Sequence, residues 1–288
     1  MLVPSLLCGC VDASGLRSRG MAPVYQREFT PLAAAGWSTA VVFAMGLVLA
    51  LVSGGRLDTE IDLMTLGLAA AFVHVGIAFA AVRVHAPEGS LRVLFGVGEP
   101  KALDVGLAAA VGVGIVPVLD GLDTLAQRRF PAKPDEALAD MVMFANATSG
   151  QRLKIALVIV VLLPVAQELF FRGLIFSGLA ARAGGRTLGA ALVSTVAFAL
   201  TSSSPRAILQ MSVLGLVLAC VRAWSGSVVV STVAHASYFV IPVLPLLQGK
   251  PYDTTIGFSL AQSIAMTAAA ALALLILRLR GGAGAKSG

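Results

Sequence analysis

The sequence predicts an all-α, polytopic integral membrane helix bundle of about eight transmembrane helices, and three observations carry that expectation. Of 288 residues, 57% are hydrophobic and 12% are charged, with a mean hydropathy of +0.89; two soluble domains would need more charged surface than this supplies. Apolar runs of about 20 residues, the length that crosses a hydrocarbon core, recur along the chain. The breaks between them, among them "SGGRLDTE", "HAPEGS", "RAGGR", "SSSP" and "QGKPYD", are turn-like in composition. The lipid bilayer is therefore the first partner. The net charge of +6 comes from Lys and Arg at the ends of apolar runs, where they meet anionic headgroups, and it argues against a nucleic-acid partner.

Taken in order, residues 1–31 form an N-terminal segment that is either disordered or upstream of a true start at Met21. Its opening "MLVPSLLCGC" has no basic n-region and too short an apolar core for a signal peptide. Cys8, Cys10 and Cys220 show neither a disulfide framework nor a metal-ligand spacing. Residues 32–152 hold N-terminal transmembrane helices, over 32–53, 63–84 and 102–120, and then an interfacial loop. The glycines of "GLAAAFVHVG" and "VGLAAAVGVG" offer small faces for close helix contact; no strand precedes them, so they are not nucleotide loops. In the loop, "KPDEALADMVMFANA" reads as an amphipathic interfacial helix. Residues 153–247 hold runs over 153–179, 187–203, 206–223 and 226–247, and residues 248–288 hold the last span, 258–277, with a basic tail.

Eight spans place both termini on one side. That side collects Arg17, Arg19, Arg27, Arg83, Arg92, Lys101, Arg182, Arg186, Arg222, Arg278, Arg280 and Lys286. The other side has Arg56, Arg128, Arg129, Lys133, Arg152, Lys154, Arg206 and Lys250. The excess of basic residues predicts a cytoplasmic membrane protein with its termini inside.

Two charges stand within an apolar run, Glu168 and Arg172 of "LPVAQELFFRGLIF". Four residues apart, they share one helix face in the orientation suited to pairing. An unpaired charge at the bilayer centre costs roughly 2.5–3.5 kcal/mol, so both must turn inward. The pair can line a polar cavity, or it can simply fix helix packing. Pro164 removes a hydrogen bond one turn earlier and predicts a kink. His235 in "STVAHASYF", with Ser231, Thr232 and Ser237 nearby, suits proton transfer or a core hydrogen bond; His74 has less supporting context. The hydroxyls of "FALTSSSP" have no nucleophile elbow around them and read as helix-end caps.

The order "QELFFRG", "FALTS" and "LGLVLACVRAWSGSVVVSTVAHASYF" resembles the CAAX prenyl protease and bacteriocin-processing (CPBP, or Abi) family of intramembrane endopeptidases. Its pattern is E-E-x-x-x-R, then F-x-x-x-H, then H-x-x-x-N or H-x-x-x-D. The resemblance covers about 153–247 and implies a CPBP-like core, with Glu168, Arg172 and His235 as candidate catalytic residues and Phe198 in the second motif. Three partners are degenerate. Gln167 stands where the family's water-activating glutamate is expected, Ser202 where the second-motif His is expected, and Phe239 where Asn or Asp is expected. Glutamine cannot take a proton from water near neutral pH. The resemblance thus implies a hydrolase of membrane-proximal or lipid-tailed peptides that is impaired or inactive in proteolysis. The alternatives are a non-catalytic membrane protein that holds a peptide or lipid tail, and a small transporter, for which the paired broken helices are missing. One His and one Glu are an incomplete set for zinc, leaving cofactor and metal use open.

Overall fold

The computed structural model describes residues 28–55, 62–131, 147–183, 187–202, 205–250 and 257–284. Cys8, Cys10, Met21, Arg186, Lys286 and residues 133–146 of the expected interfacial helix lie outside them. Among the described residues the chain is helical without strands. The elements are α1 (Pro31–Val52), α2 (Leu63–His85), a short α3 (Leu91–Leu94), α4 (Ala102–Arg129), α5 (Ser149–Arg182), α6 (Thr187–Leu200), α7 (Pro205–Ser225), α8 (Val228–Leu247) and α9 (Leu260–Gly284).

Seven of these, all but α3 and α6, are long and apolar enough to cross a membrane. The protein is an integral membrane helical bundle. Helices α1 and α9 are peripheral, presenting Leu32, Phe43, Leu260 and Leu279 outward, as lipid-facing helices must. The core gathers α2, α5, α7 and α8, with Phe170, Phe171, Ile175, Leu214 and Leu218 fully buried.

Boundaries differ from expectation in three places. The run expected over 187–203 yields a helix of 14 residues. At 1.5 Å per residue it rises about 21 Å, short of the ~30 Å hydrocarbon core. It stops because Thr201 turns back, its hydroxyl donating to the Phe198 carbonyl at 2.7 Å, while the Ser202 N–H reaches Ala199. The third span continues past residue 120 to Arg129, since Pro117 sits at a first-turn position of its second half, where no N–H is needed. The fourth begins at Ser149 behind a reciprocal Thr148–Gln151 capping box.

The small-face expectation holds at particular glycines. A Cβ at Gly112 would meet the Ala234 carbonyl oxygen at 2.1 Å, and one at Gly114 the Met266 carbonyl oxygen at 2.5 Å, so α4 packs directly on the backbones of α8 and α9. Gly67 likewise leaves room for Val158 of α5, whereas Gly76 and Gly106 border open space.

Cross-contacts sort the helix ends into two poles. At one, Phe29 packs edge-on against His85 at 4.9 Å, Trp37 donates to His85, Arg182 pairs with Glu28, Arg222 donates to Ser177 and Arg280 pairs with Asp104. At the other, Gly249 abuts Arg152 and Leu246 packs with Ile155.

Candidate functional site

Helix α5 widens twice around its polar residues. Val158–Leu162 and Leu169–Phe176 are π-helical, and the first lies just before Pro164. The missing proline N–H is thus absorbed by a looser turn. The second begins directly after Glu168 and carries Arg172; the Ser177 hydroxyl closes it by donating to the Arg172 carbonyl at 3.0 Å.

Despite this widening, Glu168 and Arg172 meet. Arg172 Nη1 donates to Glu168 Oε1 at 3.0 Å, with both side chains fully buried. His235 of α8 donates from Nδ1 to the same oxygen at 3.1 Å, so Nδ1 carries a proton, because a carboxylate oxygen only accepts. The second arm of the guanidinium, Nη2, donates to the Gly215 carbonyl of α7 at 2.8 Å. Three helices are tied through one cation and one anion.

Aromatic rings close this cluster. The Arg172 guanidinium lies 4.7 Å from the Phe198 ring centre and 5.9 Å from that of Phe171. Phe198 meets His235 edge-on at 5.6 Å, and Phe239 stacks on the imidazole at 5.4 Å with 26° between the planes. Such desolvated cation–π contacts are worth about 2 kcal/mol or more. Glu168, Arg172 and His235 are each 0% exposed.

The network is incomplete. Glu168 Oε2, Arg172 Nε and His235 Nε2 are buried without hydrogen-bond partners. Ser231, one turn before His235, lies within hydrogen-bonding reach of the Glu168 carboxylate, and its hydroxyl also reaches the Val228 carbonyl at 3.0 Å. Partly satisfied buried networks are costly.

Of the degenerate positions, the structure brings Phe239 into the cluster and leaves the other two aside. Gln167 is half-buried on a neighbouring face of α5, and Ser202 lies two residues beyond the end of α6. Neither hydrogen bonds to Glu168, Arg172 or His235. His74 sits apart, its Nδ1 bonded to the Ala70 carbonyl at 2.7 Å and its ring against Phe170 and Phe171. Among the described residues no group of three or more His, Cys, Asp or Glu is arranged to hold a metal.

Gly215 of α7 positions the cation, a role that no single-residue signal carries. A Cβ there would come within 3.0 Å of Phe198, 3.3 Å of Thr195 and 3.4 Å of Arg172 Nη2, so the glycine lets α7 bring its carbonyl to the cation. Its signal in the sequence was its place at the head of "LGLVLACVRAWSGS", whose glycine spacing before His235 fits the resemblance.

The fold and the buried cluster define a polytopic membrane protein with a polar core assembled inside the bundle. Residues 149–241 match the family model described as type II CAAX prenyl endopeptidase, Rce1-like, and so bear out the resemblance read from the motifs. Comparison with curated proteins and with solved structures returns no match.

Proposed function

We propose that this chain uses a CAAX-endopeptidase-like core, over about 153–247, without efficient proteolysis: it is impaired or inactive as a peptidase. The carrying observation is the stacking of Phe239 on His235, which places an apolar ring where the family pattern calls for a polar partner. The complete burial of Glu168 and His235 supports the same reading. Peptide hydrolysis needs a water held beside a group that takes its proton, and donors aimed at the developing oxyanion. Here Glu168 Oε1 is already occupied twice, Gln167 offers no base, and Ser202 offers no imidazole. Glu168, Arg172 and His235 are accordingly read as residues retained from a catalytic constellation, acting now as a structural clasp. The competing non-catalytic role, holding a peptide or lipid tail, keeps the same core and needs neither a base nor a bound water.

The basic pole, with Arg83, Arg92, Lys101, Arg182, Arg222 and Arg280 among its residues, is proposed to face the cytoplasm under the positive-inside bias. This puts the protein in the cytoplasmic membrane with both termini inside. An impermeant thiol reagent that labels a cysteine placed at Ser287 in intact cells, in a background lacking Cys8, Cys10 and Cys220, would refute that orientation.

The activity test uses purified protein and a prenylated, hydrophobic-tailed peptide. Unmodified protein is expected to cleave it slowly or not at all. Gln167→Glu, Ser202→His and Phe239→Asn are required together for any gain, because groups acting as a unit are strongly non-additive. Robust turnover by the unmodified protein, lost in Glu168→Gln while thermal stability in detergent is retained, overturns the proposal.

A further inference from the structure

A groove of about 490 Å³ lies between the ends of α1, α5 and α6. Pro31, Leu179 and Val193 line it with apolar surface, and Glu28 and Arg182 stand in its lining. Its size falls within the range of small-molecule sites. Pro31 opens α1, Arg182 closes the α5 span, and α6 begins five residues later. The groove therefore lies where the helices leave the hydrocarbon core, at the depth of lipid headgroups.

Two features suit it to an amphiphile with a negative head. Arg182 Nε pairs with the Glu28 carboxylate at 3.2 Å, with side chains 47% and 76% exposed. An exposed pair of this kind is weak, whereas arginine binds phosphate by two parallel hydrogen bonds. Glu28 thus occupies a position that a phosphate can take over. Gly189 of α6 also lines the groove, and a Cβ built there meets nothing within 4 Å. Gly189 stands in the first turn of α6, and no neighbouring helix occupies the space its missing side chain leaves.

We infer that this groove binds an anionic phospholipid, with the phosphate on Arg182 in place of Glu28 and one acyl chain along Leu179 and Val193. The site is separate from the Glu168 cluster and holds whether or not that cluster is catalytic.

The test is native mass spectrometry of the full chain, delipidated in detergent and titrated with phosphatidylglycerol or phosphatidylcholine. Unmodified protein should retain one phosphatidylglycerol in preference to phosphatidylcholine. Arg182→Gln should lower that retention about fivefold, the worth of one basic side chain at a membrane surface. Glu28→Gln should raise it by removing the competing carboxylate, and Gly189→Leu should lower it by filling the groove. Arg92→Gln, which alters an exposed arginine paired with Glu99 elsewhere at this pole, should change nothing. Equal retention of the two lipids, unchanged retention in Arg182→Gln, or an equal loss in Arg92→Gln overturns the inference, the last because it would mark a general charge effect.

Discussion

Helix α5 carries two arginines, each paired with a glutamate at nearly equal distance and in opposite surroundings. Arg172 and Glu168 meet at 3.0 Å with neither side chain exposed; Arg182 and Glu28 meet at 3.2 Å with both largely in contact with solvent. Distance alone does not rank them. In the interior each charge has lost its hydration, and its partner is the main compensation, so the pair is hard to break although it adds little net stability. At the helix end water and salt compete with the partner, and the same contact is worth about 0–1 kcal/mol. One pair is a clasp that constrains three helices, and the other is a contact that a ligand can replace.

The sharpest way to break the comparison is to remove one buried partner. Arg172→Ala should destabilise the protein by about 3–5 kcal/mol, because it strands the Glu168 carboxylate; folded yield and thermal unfolding in detergent measure this. Arg172→Met combined with Glu168→Gln should recover most of that loss, since no buried charge is then left unpaired. Recovery no better than in the single variant would show that packing, rather than charge, dominates at this position.

A smaller effect is expected at Gly215, where the contacts are tight but the neighbouring side chains can shift. Gly215→Ala should cost about 1–3 kcal/mol by overpacking against Phe198 and Thr195, seen as a lower unfolding temperature.

Asp62 supplies an intermediate case, an exposed carboxylate held by local hydrogen bonds. It caps α2, accepting from the Thr65 N–H at 3.0 Å and from the Thr65 hydroxyl. Slight burial alone would raise its pKa, but these bonds outweigh that and hold the carboxyl below its ordinary value. The resulting stability is present above the unfolded-state pKa and lost as pH falls through the lower folded-state pKa. Asp62→Ala should cost about 1 kcal/mol near neutral pH. The difference from unmodified protein should shrink in acid, as thermal melts across pH 7 to 3 would record.

The least effect on stability belongs to the outer pair. Arg182→Ala should change stability by less than about 1 kcal/mol, and by less still in high salt. A cost like that of Arg172→Ala would erase the contrast drawn between the two pairs.

Much of the clasp was legible because it is local. The spacing of Glu168 and Arg172 put them on one face, and the cost of charge in lipid turned that face inward. His235 was singled out as an intramembrane imidazole, yet its bond to Glu168 spans 67 residues, and no periodicity reports a contact of that kind. The role of Gly215 was not legible, because it belongs to a carbonyl that every residue possesses and depends on how closely α7 approaches. The length of α6 was misjudged for a different reason. Hydropathy counts apolar residues, whereas the helix ends where the Thr201 hydroxyl and the Ser202 N–H take carbonyls of the preceding turn.

By itself the sequence determined that this is a helical membrane protein, which helices carry charge, and that Glu168 must find Arg172. These follow from composition and from interactions within one helical turn, where spacing is nearly geometry. The tertiary structure decided that His235 shares the same oxygen, that the Gly215 carbonyl holds the second arm of Arg172, and that Phe239 stacks on the imidazole. It also decided which arginine is sealed and which is exposed. Both lie on one helix with an acidic partner, and only the packing of the other helices around them sets how much water each retains, which fixes the strength of the pair.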